Sequence, residues 1–266
     1  MKGHLSGCAT MPRHWSLKEL FLSKTDPYTG IAEAYDYILR HVDYQKWFEF
    51  IYETMIIYCN APETVLELGC GTGKFGAKFS SNNLSIVGID KSMEMLGVAK
   101  TRAFRNFRIL CSDIRNFVLK QKFDFIFCVH DTMNYLLDKD DIRSVFKSVK
   151  NVMHKGSIFM FDITTEHNIE RFFNNKTSFY KTRGLHIEWN NTYDRDKKII
   201  RSYFTTTDRD GSIHKEEHVQ QIYSVEEISE ILESEGFSIL HVCSDYTFNP
   251  PSADTVMINF ITEKKN

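Results

Sequence analysis

The stretch Val65-Leu66-Glu67-Leu68-Gly69-Cys70-Gly71-Thr72-Gly73-Lys74-Phe75 constrains the chain more than any other. Its first four residues read as a buried strand that runs into a glycine turn. Gly71, Gly73 and Gly76 follow, and a helix opens at Lys74. A glycine turn between a strand and a helix points backbone N–H groups at a ligand and lets that ligand approach closely. "GTGKFG" (71–76) matches the spacing of a dinucleotide turn, but its first glycine comes two residues after the turn has begun at Gly69. A phosphate-binding Walker loop needs Gly-Lys-Ser/Thr, and Phe75 follows Lys74, so that reading fails.

From this point strands and helices alternate. Strands are expected at 65–68, 85–89, 108–111, 123–129 and 157–161, and helices at 74–79, 93–102 and 139–153. Such alternation requires a parallel sheet covered on both faces. The period changes at 184–224, where alternating residues and the turn signals "DRDKK" and "DRDG" predict three antiparallel strands. A helix is expected at 225–234, stopped by Gly236, with strands at 237–244 and 255–262. "NPP" (249–251) joins those two strands and reads as a turn. The expected fold is α/β: a doubly wound, mostly parallel, seven-stranded Rossmann-like sheet with an antiparallel insert at 184–223. Residues 1–60 are expected to form a helical lid, with a short helix near 15–22, and 61–266 the main domain.

Composition narrows the classes. With 266 residues, 33 Lys+Arg against 35 Asp+Glu and a net charge of −2, the chain lacks the basic excess of a nucleic-acid binder. No apolar run of 18 residues predicts a membrane span. The six cysteines have no CxxC spacing and several fall in apolar strands, which suits free thiols in a reducing, cytoplasmic setting. "LSGC" (5–8) resembles a lipoprotein cleavage box but lacks an apolar lead-in, and Met11 is an alternative start. The histidines have no metal-ligand spacing, so no metal is expected.

Three acids stand where the ligand should lie. Glu67 interrupts an apolar strand just before the turn, where it would repel a pyrophosphate. Asp90 ends the next strand, where an acid can accept both hydroxyls of a ribose. Asp113 ends the third. Acids at three strand ends fit a ligand with a ribose, an adenine amine and an amino-acid ammonium, and no phosphate. The plainer alternative for Asp90 and Asp113 is helix N-capping.

"VLELGCGTGKF", "VGIDKSMEML", "ILCSDIRNF" and "FDFIFCVHDTMNYL" resemble the successive motifs of class I S-adenosylmethionine-dependent methyltransferases. The insert and "YSVEEISEILESEGF" are similar to a subgroup of small-molecule methyltransferases and amino-sugar N,N-dimethyltransferases. The resemblance implies that Gly69, Gly71 and Gly73 curve around the methionine part of S-adenosyl-L-methionine, with Glu67 nearby. It implies that Asp90 holds the ribose diol, that Ser92 and Met93 flank the adenine, and that Asp113 and Ile114 bind its amine edge. Val129 and His130 would face the methionine end, and one of Tyr28, Tyr35 and Tyr44, with Tyr35 preferred, would line the cofactor.

The expected reaction is methyl transfer to a nitrogen or oxygen of a small molecule, with the acceptor between the insert and residues 130–134. His130 or His218 would act as base, Asp131 would orient an ammonium, and Asn134 would bind a hydroxyl. A monomer or homodimer is expected, with no nucleic-acid or membrane partner. The rival readings are an RNA or protein methyltransferase, an NAD-dependent oxidoreductase, and a non-catalytic S-adenosylmethionine-binding module.

Overall fold

The computed structural model describes residues 22–82 and 84–265. "LSGC", Met11 and most of the helix expected near 15–22 lie outside them. Along the described chain run β1 (Leu22–Thr25), α1 (Tyr35–Ile38), α2 (Tyr44–Tyr58), β2 (Thr64–Leu68), α3 (Lys74–Ser81), β3 (Ser85–Asp90), α4 (Met93–Ala99), β4 (Phe107–Cys111) and β5 (Phe123–Cys128). They continue with α5 (Lys139–Val152), β6 (Met153–Thr164), α6 (Glu166–Asn168), β7 (Thr177–Thr182), β8 (Leu185–Asp194), β9 (Ile199–Thr207) and β10 (Ile213–Gln221). The last are α7 (Val225–Ser234), β11 (Phe237–Ser244) and β12 (Met257–Lys264).

The main sheet has seven strands in the order β11-β12-β6-β5-β2-β3-β4. β2 pairs in parallel with β3 and β5, and β5 with β6, while β12 is antiparallel to β6 and β11. Central strands are covered on both faces, so they are apolar without alternation: Phe123, Phe125, Ile126, Phe127 and Cys128 of β5 are all fully buried. The abundance of phenylalanine is spent in this core, where Phe161 and Phe260 stack with ring centroids 5.0 Å apart. α5 shows why a helix forms where it does. The Asp138 carboxylate accepts the Asp141 N–H at 2.8 Å and caps the first turn, and Ile142, Val145, Phe146, Val149 and Val152 line one buried stripe. α7 opens with a reciprocal capping box between Ser224 and Glu227.

The second sheet differs from the expected three strands. Its order is β1-β10-β9-β8-β7, with β1 parallel to β10 and the rest antiparallel. β7 lies before the expected boundary at 184; its alternating, half-exposed side chains are those of an edge strand. β1 starts at Leu22, so the chain there is extended and not helical. Of the segment expected as a helical lid, α2 is fastened to the main sheet, with Ile51 and Met55 fully buried. The part near the strand ends is the stretch from β1 through α1. "NPP" lies between β11 and β12, outside any strand.

Gly76 explains the apparent dinucleotide spacing. A Cβ built on it would come within 2.3 Å of the Phe107 ring, so this glycine lets α3 seat on β4. Gly76→Ala is therefore expected to overpack that contact and destabilise the fold by about 1–3 kcal/mol, seen as a lower urea midpoint at unchanged slope.

Candidate active site

The turn after β2 is left-handed at Gly69, Gly71 and Gly73, with φ of 69°, 53° and 76°. Asp90, at the end of β3, knits this turn to its own: Oδ2 accepts the Gly71 N–H at 2.8 Å and Oδ1 the Ser92 N–H at 2.9 Å. Burial raises the Asp90 carboxyl above its ordinary value, against the pull of these amides. Glu67 is 2% exposed, and its Oε2 has no hydrogen-bond partner. Burial raises its carboxyl strongly. Asp113 is clasped by Arg115, which also pairs with Asp141, and its carboxyl lies below the usual range because of the Arg115 hydrogen bonds.

α1 is pinned across this turn by a residue that the sequence did not single out. Asp36 accepts the Thr72 hydroxyl at 2.8 Å and an Arg102 N–H at 2.5 Å, with Lys74 Nζ at 3.6 Å.

The turn after β5 is strained. His130 and Asp131 are both left-handed, with φ of 64° and 50°, a conformation that side chains other than glycine disfavour. Asp162 of β6, fully buried, holds it: its carboxylate accepts the His130 N–H at 2.7 Å, the Asp131 N–H at 2.8 Å and the Tyr246 hydroxyl. Burial lowers the His130 ring to about 4, helped by nearby Lys74, so it is neutral at physiological pH. Burial raises Asp131 to about 7 and Asp162 to about 6.

Two chambers meet at this turn. The first, a cleft with roughly 1100 Å³ between its walls and open to solvent, is lined by Glu67, Gly69, Gly71, Asp90, Asp113, Ile114 and Val129, among others. The second, of about 660 Å³, lies under the five-stranded sheet and is lined by Asp131, Trp189, Phe204, His218, Gln220 and several aliphatic residues. Tyr28, Tyr35, His130 and Tyr135 line both. Asp131 and His218 therefore face the second chamber and not the first.

Four expected residues lie elsewhere. Met93 is 63% exposed and does not line the cleft; Met95, two positions on and nearly opposite around the helix, lines it instead. Ser92 caps α4 by accepting the Met95 N–H at 3.2 Å and supports Asp90, with no place in the cleft wall. Gly73 is the N-cap of α3, where a Cβ would press on Phe107 and Ala99. Asn134 is fully buried with its amide consumed by backbone: Oδ1 accepts the Thr164 N–H at 2.9 Å and Nδ2 donates to the Gln221 carbonyl at 2.8 Å. It ties the two sheets together and lines neither chamber. Tyr28 and Tyr135 were missed or weakly flagged, because each meets its partners only across more than 80 residues of sequence.

Residues 65–156 match the family model of a methyltransferase domain. YqeM of Bacillus subtilis (strain 168), provisionally named a methyltransferase, is 29% identical over 245 residues, covering 89% of this chain and 97% of its own. The crystal structure of an S-adenosylmethionine-dependent methyltransferase from Clostridium acetobutylicum ATCC 824 superimposes with a TM-score of 0.78 at 28% identity, over 90% of this chain and 99% of that one. The sugar N-methyltransferase KedS8 from Streptoalloteichus sp ATCC 53650 shares the fold, with a TM-score of 0.73 at 15% identity over 99% and 100% of the two chains. The chain thus carries a methyltransferase domain. Its fold is that of the class I S-adenosylmethionine-dependent methyltransferases, with the roofed second chamber added.

Two outcomes follow from the turn. Asp162→Ala leaves two amides and a phenol unpaired in the interior and is expected to cost about 2–4 kcal/mol in urea unfolding. The Asp131 carboxyl titrates above its unfolded value, so the folded state binds more protons than the unfolded chain between about pH 4 and pH 7, and stability falls as pH rises through that window. Asp131→Asn removes this share, so the variant should gain on the wild type from pH 4 to pH 8 in the same measurement.

Proposed function

We propose that the protein transfers a methyl group from S-adenosyl-L-methionine to a nitrogen or oxygen of a small molecule by in-line displacement. The observation that carries this is the shared wall: Tyr28, Tyr35, His130 and Tyr135 border both chambers, so a donor in one and an acceptor in the other would meet there. When bound, the cofactor supplies a sulfonium methyl, a good electrophile that needs alignment and exclusion of water rather than activation.

The residues present fit that cofactor. The unpartnered Glu67 oxygen and the carboxylates of Asp90 and Asp113 suit a cationic ligand with a diol and an amine edge. Of the three lining cations, Lys74 and Arg115 are drawn to Asp36 and to Asp113 and Asp141, and Lys91 stands next to Asp90 in the chain. A pyrophosphate in this cleft would meet the carboxyl groups of Glu67 and Asp90, which disfavours NAD. Asp90 would hold the ribose, Ile114 and Met95 would border the adenine, and Val129 and His130 would face the methionine end.

The second chamber narrows the acceptor. Its walls include Ile31, Ile38, Ile169, Ile200, Trp189 and Phe204, and among the described residues no lysine or arginine lines it. This supports an acceptor with an apolar body whose reacting end carries no phosphate. An RNA acceptor would need a basic track that this chamber lacks. The reading includes a monomer or homodimer in the cytoplasm. A reducing setting is supported by the described cysteines, all free, and among the described residues no helix is long and apolar enough to cross a membrane.

Isothermal titration tests the donor site. S-adenosylhomocysteine should bind and NAD should not. Asp90→Ala should weaken the binding by about 1.5–3 kcal/mol, the worth of hydrogen bonds to a charged group. Undiminished affinity in that variant would remove Asp90 from the ribose site.

A further inference from the structure

A buried chain of hydrogen bonds runs from the roof to the junction of the chambers. Glu216 and His218 of β10 are each 3% exposed, and His218 Nε2 lies 3.1 Å from Glu216 Oε2. His218 Nδ1 lies 2.9 Å from the Tyr135 hydroxyl, which lies 2.6 Å from the Tyr28 hydroxyl.

The direction of every proton in this chain is fixed at its buried end. Glu216 also accepts backbone N–H groups from Tyr28 at 2.8 Å, from Ile31 at 3.1 Å and from Gly30. A carboxyl group taking three amides is an acceptor throughout, so His218 must present Nε2–H to it. Nδ1 is then bare and takes the Tyr135 O–H. Tyr135 has one proton, already committed, so the Tyr28 O–H must donate to it. The Tyr28 oxygen is left with lone pairs only, in the wall common to both chambers.

The second chamber's lining carboxylate is Asp131, and it meets no lysine or arginine there among the described residues. Its visible partner is Gln220 Nε2 at 3.0 Å. A carboxylate that meets no lysine or arginine in its chamber complements a cation.

We propose that the acceptor is an alkylammonium held by Asp131, and that the chain Tyr28–Tyr135–His218–Glu216 takes one proton from it before methyl transfer. This deepens the methyl-transfer reading and rests on it. The ammonium N–H gives its proton to the Tyr28 oxygen as Tyr28 passes its own to Tyr135 and Tyr135 passes its own to His218 Nδ1. His218 becomes an imidazolium paired with Glu216, and the nitrogen lone pair is exposed. The C–N bond then forms as the C–S bond breaks, giving the N-methylated ammonium and S-adenosylhomocysteine. His218 returns its proton to solvent when the product leaves.

Tyr28 is the catalytic residue in this scheme; Tyr135, His218 and Glu216 act through it. Burial raises both phenols well above the ordinary value, which suits conduits that are never left as phenolate. The ionisable groups around His218 are Glu216 on its own strand, Tyr28 from the segment after β1, Tyr135 from the turn after β5, and Asp131 and His130, which share its chamber. The ring from β9, Phe204, is uncharged.

Two measurements test the proposal. Nitrogen-15 NMR of histidine-labelled protein should show His218 as the Nε2–H tautomer; an Nδ1–H tautomer reverses the chain and overturns it. The second is the rate of label transfer from methyl-labelled S-adenosylmethionine to a small-molecule extract of the source cells. His218→Asn and Tyr135→Phe should each lower that rate about 100-fold at pH 7. Each variant should then regain about tenfold per pH unit on the alkaline side, as solvent removes the proton instead. His218→Asn should still bind S-adenosylhomocysteine within twofold of wild type, which shows that it is folded. Wild-type rates in both variants, or a loss that does not recover with pH, overturn the relay. A wild type that labels no product, while it binds S-adenosylhomocysteine and shows the expected tautomer, overturns methyl transfer itself and with it the relay's role.

Discussion

The site depends on one buried carboxylate. The strand β5 ends in two consecutive left-handed residues, neither of them glycine, and such a turn does not hold itself. Asp162, on the neighbouring strand, takes both of their amides and the Tyr246 phenol. The result is that His130 and Asp131 are aimed in different directions from adjacent positions. His130 borders both chambers, whereas Asp131 enters only the second. The cost of burying Asp162 is visible in its raised carboxyl. It is sustained because the alternative is two unpaired interior amides.

The first chamber could be outlined from the sequence because its acids are local in sequence. Glu67, Asp90 and Asp113 each lie within two residues of the carboxyl end of a strand, and parallel pairing of neighbouring strands brings those ends to one edge. Where the lining differs from expectation, the difference is one of rotation. Met93 and Met95 are two residues apart, on nearly opposite sides of α4, which Ser92 caps. The strand-end acids also obey two demands at once: Asp90 is both a turn-former, through Gly71 and Ser92, and a candidate ligand group.

The second chamber was legible only as an outline. An antiparallel insert was visible in the alternation of 184–224, but β7 and β1 were not, since a short edge strand has a weak pattern and β1 precedes the main domain by a long stretch. Of its polar wiring, Asp131 and His218 could be singled out, but not the groups they bond to. Tyr28 reaches Glu216 across 188 positions, and Tyr135 reaches His218 across 83. A glutamate and a histidine two apart on a strand look like an exposed charged face until the N-terminal segment is seen to cover them. Asn134 misled for a related reason. Its amide has the right chemistry for a hydroxyl, and only the placement of β10 beside β6 shows that the backbone has claimed it.

That amide has a consequence for how such proteins diversify. Asn134 joins the last residue of β10 to the end of β6, and Asp36 hooks the N-terminal segment to Thr72 and Arg102. Neither Asn134 nor Asp36 lines a chamber, whereas aromatic and aliphatic side chains give the underside of the roof its shape. A lineage could therefore recut the underside, residue by residue, while the fasteners and the first chamber stay as they are. A second chamber of new shape would then arise by retailoring a lining rather than by rebuilding the fold.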